Sequence, residues 1–102
     1  MADKIDFRVL NFTGTGPGAG GATLLAAVAG RAYKVWKVVS AVGGAVIGNL
    51  QTAPTVSFVV AAGVMPYDGA PYFVGQTGVG LFWVDTAVAE NLTVYYTQEG
   101  GV

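Results

Sequence analysis

The chain has 102 residues, 53% of them hydrophobic and only 11% charged, with a formal net charge of −1. Five Lys and Arg against six Asp and Glu provide no basic field for a phosphate backbone, so nucleic acid is set aside as a partner. With no His and no Cys, the chain lacks the usual general base, zinc ligand and thiolate nucleophile, and it forms no disulfide.

The predicted elements begin where Ile5, Phe7 and Val9 alternate with Asp6 and Arg8, a first strand running to Phe12. A Gly-rich loop, TGTGPGAGG, follows over residues 13–21. Ala22–Ala29 (ATLLAAVA) is ambiguous, because Ala and Leu favour helix. It is short and bounded by Gly, and another strand pattern follows at once, so it is read as a buried strand in preference to a short helix. Arg31–Ser40 forms a longer strand. Strict alternation there places Tyr33, Val35, Lys37 and Val39 on one face, and Ala32, Lys34, Trp36 and Val38 on the other.

Gly43-Gly44 marks a turn. A weaker strand over Val46–Thr52 points Val46 and Leu50 inward, and Pro54 separates it from a strand over Thr55–Ala61. Gly63–Ala70 reads as a turn-rich connection, and Pro71–Val74 as a short aromatic strand. After a turn at Gln76–Gly78 come two strands joined by a small-residue corner. In the first, Leu81, Phe82, Trp83 and Val84 are apolar on both faces and need cover on both. In the second, Leu92, Val94 and Tyr96 oppose Thr93, Tyr95 and Thr97.

Eight short strands with frequent turn signals predict an all-β chain, a single domain over residues 1–102 folded as an eight-stranded jelly-roll sandwich. Area scaling for 10.4 kDa leaves roughly 5,400 Å² exposed, enough burial for one core. From Val38 to Tyr67 no side chain is charged. So few charges imply apolar surface in need of a partner, and hence an obligate homo-oligomer or a lattice-bound protein. Trp36, Leu81, Trp83, Tyr72 and Phe73 are the candidate subunit-interface residues, since strand aromatics more often pack than bind ligands.

Other motifs take plainer readings. Gly14-x-Gly16-x-Gly18 is interrupted by Pro17 and followed by no Lys, so it is a connecting loop and not a phosphate cradle. Asp85 and Glu90 flank the last corner as turn residues, and neither catalysis nor metal binding is assigned to them. Asn11-Phe12-Thr13 and Asn91-Leu92-Thr93 fit the N-glycosylation pattern but read as polar strand ends. Arg31, Lys34 and Lys37 read as a solvated strand edge. The N-terminus lacks the charged-then-apolar order of a signal peptide. The longest apolar runs are shorter than a bilayer needs, so no membrane partner is expected.

GATLLAAVAGRAYKVWKVV near the front and VGLFWVDTAVAENLTVYYTQEG at the back each pair a small-residue corner with a strand. In these two units the chain resembles small bacteriophage structural jelly rolls, the capsid decoration (cement) proteins and fibre-tip modules. The resemblance implies a homotrimer on the virion surface that binds the major capsid protein and stabilises the shell. It implies no enzymatic activity and no cofactor. It makes Asp3 and Lys4, in a short N-terminal arm over residues 1–4, and Arg31, Lys34 and Lys37 candidate capsid contacts. A receptor- or glycan-binding fibre tip is the alternative.

Overall fold

The structure, a computed structural model, describes residues 7–14, 22–50, 54–84 and 90–100, with the backbone alone of Val84 and Glu90. Asp3, Lys4, Asp85 and the Gly16-Pro17-Gly18 stretch lie outside the described residues, so the proposed arm and corner roles are not described here.

Among the described residues the chain is all-β, with nine strands. They are β1 (Arg8–Gly14), β2 (Ala22–Leu25), β3 (Ala32–Ser40), β4 (Val46–Gly48), β5 (Ser57–Val59), β6 (Gly63–Met65), β7 (Phe73–Val74), β8 (Leu81–Val84) and β9 (Glu90–Glu99). Two antiparallel sheets pack as a sandwich. The larger runs β1-β9-β3-β6, with β7 also paired to β3, and the smaller runs β2-β8-β4-β5. The strands on either side of each small-residue corner, β2 with β3 and β8 with β9, belong to opposite sheets. The stretch left open between strand and helix is a strand over Ala22–Leu25, shorter than expected.

The core lies between the sheets. Val35, Val38, Leu92, Val94 and Phe73 enter it from the larger sheet, and Leu24, Ile47, Leu81 and Trp83 from the smaller. The accessible surface is 5511 Å², close to what mass alone predicts for a monomer.

Three expectations are corrected. Between Val35 and Lys37 the β3–β9 register shifts by one residue at Trp36. A bulge of this kind reverses the alternation downstream. Tyr33, Val35, Val38 and Ser40 are therefore buried, while Lys37 and Val39 turn outward beside Tyr95 and Thr93. In β4 it is Ile47, fully buried, that points inward; Val46 is half-buried and Leu50 is 44% exposed. The connection over Gly63–Ala70 contains a ninth strand, β6, paired to Val38–Ser40.

Close backbone approach requires glycine at Gly43 and at Gly80. Gly43 has φ +80°, and a Cβ there would stand 2.4 Å from the Ala62 nitrogen. A Cβ on Gly80 would meet the Leu25 carbonyl oxygen at 2.4 Å, where β8 runs close to the end of β2.

Candidate functional site: the outer face of the larger sheet

Cross-strand partners share a face, so the register identifies the side chains on the outside of the larger sheet. Val9 lies opposite Tyr95, which lies opposite Lys37; Asn11 lies opposite Thr93, which lies opposite Val39 and, through it, Val64. Lys34 stands between Thr97 and Val74. The exposed apolar side chains on this face are Val9 (54%), Val64 (57%) and Val74 (52%).

An aromatic cluster caps one end. The rings of Phe7 and Tyr67 lie 5.5 Å apart at 71°, those of Trp36 and Tyr67 5.7 Å apart at 51°, and those of Phe7 and Trp36 6.4 Å apart at 68°. These are tilted and edge-to-face contacts, the arrangement the ring quadrupole favours. Trp36 lies on this side with Lys34, opposite in facing to the buried Val35, and its Nε1–H donates to Thr97 Oγ1 at 2.8 Å; the bulge adds Lys37 to the same face. Phe7 and Tyr67 remain exposed. Alternation alone paired Phe7 with Val9 but left open which side they face. The structure turns both away from the core.

The two Asn-x-Thr tripeptides pair with each other. Thr13 Oγ1 donates to Asn91 Oδ1 at 2.8 Å, and Thr93 Oγ1 donates to Asn11 Oδ1 at 3.0 Å. They form a reciprocal polar patch on β1 and β9. No sequence signal joined two segments about eighty residues apart; only the strand pairing does.

The basic residues are engaged within the chain. Lys34 Nζ lies 2.9 Å from Glu99 Oε1, and Lys37 Nζ lies 5.0 Å from the Tyr95 ring centroid. Arg31 is half-buried just before β3 and also has a partner within the chain. β3 is an internal strand, so the expected solvated edge is corrected to the face of a central strand.

The interface candidates divide. Leu81 (0%), Trp83 (1%) and Phe73 (2%) are buried in the chain's own core. These three have no side-chain surface left to offer a sister subunit. Trp36 and Tyr72 are half-buried and keep some surface. The Tyr72 hydroxyl donates to the Pro66 carbonyl, and its ring stacks on Phe58 at 6.1 Å. Phe82 is the half-buried outward residue of β8. The Trp83 indole Nε1 is buried without a hydrogen-bond partner.

Among the described residues no pocket opens on the surface, and no group of three or more His, Cys, Asp or Glu gathers where a metal could sit. No described helix is long and apolar enough to cross a membrane. No family model matches the chain, and no match is found among curated proteins or solved structures.

Proposed function

We propose that this chain is a non-catalytic structural module, a homo-oligomeric jelly roll that binds the outside of a phage capsid and stabilises it. The observation that carries the reading is the outer face of the larger sheet, where Phe7, Val9, Val64, Tyr67 and Val74 stay exposed on a chain with 11% charge. Apolar surface of this kind marks an association site.

The strand orders support the jelly-roll topology. Two interlocked Greek keys place the first strand beside the last and the second beside the penultimate, as in β1-β9-β3-β6 and β2-β8-β4-β5. β6 and β7 both pair with β3 and share one strand position, which reconciles nine observed strands with an eight-stranded plan.

In this role the chain works by linkage. A protein that binds only the assembled shell raises the free energy of taking the shell apart. The major capsid protein is the proposed partner and the virion surface the proposed location. Trp36 and Tyr72, with Lys34 and Lys37 on the same face as Trp36, are the described contact candidates.

Sedimentation of purified protein together with a virion density map tests the reading. An oligomer at micromolar concentration and density on the outer shell are expected. A stable monomer absent from virions overturns it. The alternative, a glycan-binding fibre tip, draws on the Phe7–Trp36–Tyr67 cluster. Those rings are inclined to one another and offer a sugar no coplanar platform, so the assembly reading is preferred.

A further inference from the structure

The four sheet edges are unequal. β5 and β6 have three residues each and β7 has two. β2 has four, with a register shift between Thr23 and Leu25. Short, interrupted or bulged edges are the usual protection against unwanted strand pairing. β1 has none of it. It runs seven residues, Arg-Val-Leu-Asn-Phe-Thr-Gly, against β9 without a register shift. It contains neither Lys nor Pro, and among the described residues no strand pairs with its other edge.

We propose that β1 is a docking edge for the β1 strand of a second copy, paired antiparallel about a two-fold axis at Asn11. This builds on the homo-oligomer reading above and gives it a contact. The strand is self-complementary in this register. Antiparallel pairing about Asn11 sets Leu10 opposite the second copy's Phe12, Val9 opposite its Thr13, and Arg8 opposite its Gly14. Each pair keeps inward residues with inward and outward with outward, as the pleat demands, and no like charges meet.

The pairing also covers what the monomer leaves half-covered. Leu10 and Phe12 belong to the inner face, with the Phe12 ring 5.3 Å from that of Trp83, yet both are only partly buried, and no described strand flanks them on the free side of β1. A second copy would cover each with the other. An isologous contact of this kind closes on itself and leaves no free edge for further growth.

Because the chain has no cysteine, a single introduced thiol reports the geometry directly. Across the dyad, Asn11→Cys stands opposite itself at a Cα separation of roughly 4.5–5.5 Å, within the range a disulfide spans. Thr93→Cys lies on the same face one strand further in, so its copies sit three strand spacings, about 14 Å, apart. Under mild oxidation Asn11→Cys is expected to run largely as a covalent dimer on a non-reducing gel, and Thr93→Cys as a monomer. Asn11→Lys, which places two ammonium groups at the dyad, is expected to weaken self-association at least tenfold, with the folded-state circular dichroism retained.

If the unmodified protein sediments as an oligomer while Asn11→Cys fails to cross-link, the edge pairing is wrong and the homo-oligomer reading stands. A purely three-fold trimer likewise overturns the pairing, as does cross-linking that favours Thr93→Cys. A monomer at 100 μM, about a hundredfold above a 1 μM dissociation constant, removes both.

Discussion

β8 and β3 make an instructive pair. By composition β8 is the greasier, with four large apolar residues in a row, and on that measure it is the strand most in need of an outside partner. The sandwich accounts for most of it. Leu81 and Trp83 fill the core, and Phe82 is half-exposed. β3 carries two lysines and reads as an ordinary amphipathic strand. Yet its outer face, with neighbouring residues from β1, β6 and the segment around Tyr67, leaves Phe7, Val9, Val64 and Tyr67 exposed. Local hydrophobicity measures how much a strand can bury. Which residues stay uncovered depends on strand order.

The sharpest test of that contrast is Trp83→Ala. Removing a ring that is 1% exposed is expected to cost about 3–5 kcal/mol in urea unfolding, with no need to invoke a partner. A concentration-dependent midpoint in the unmodified protein that vanishes in this variant would instead return Trp83 to an interface. Next comes the bulge. Val38→Ala is expected to cost roughly 2 kcal/mol and Val39→Ala less than about 0.5, since Val38 is fully buried and Val39 faces out. Uninterrupted alternation from Tyr33 predicts the reverse order, so the two melts decide between the registers.

A smaller effect is expected in the smaller sheet. Asn49 is 4% exposed; its Oδ1 accepts from the Thr55 and Val56 amides, and its Nδ2 donates to Thr55 Oγ1. Asn49→Ala leaves those amides without that acceptor and is expected to cost about 1–2 kcal/mol, with faster hydrogen exchange at Thr55 and Val56. Least of all, Lys34→Ala removes an ion pair whose side chains are 32% and 62% exposed. A change below about 0.5 kcal/mol, shrinking further in salt, is expected.

What could be read in advance follows from how local each determinant is. β9 was fully legible, because Leu92 and Val94 alternate with Thr93 and Tyr95 through an unbroken register, and the structure keeps that pattern. β3 was legible as a strand but misread beyond Val35, because a one-residue bulge leaves no mark on composition. β6 was missed since it begins on a glycine, Gly63 (φ +87°), and runs straight into Pro66, both turn signals; only its pairing with Val38–Ser40 makes it a strand. The outer face was the least legible. Phe7, Trp36 and Tyr67 meet through three separate segments, and nothing local brings them together.

The pairing of β1 with β9 has a consequence for how the molecule is made. Arg8 is matched to Tyr96 and Gly14 to Glu90, so β1 leaves the ribosome well before β9, the strand it pairs with. At roughly 5–20 residues per second that delay lasts several seconds, during which Leu10 and Phe12 have no β9 beside them. Closing a sheet between distant ends is slow for entropic reasons as well. The nascent chain therefore passes through a stage in which its most pairing-competent strand is open on both sides. Expression temperature and chaperone supply should govern the yield of this protein more than the stability of its finished fold does.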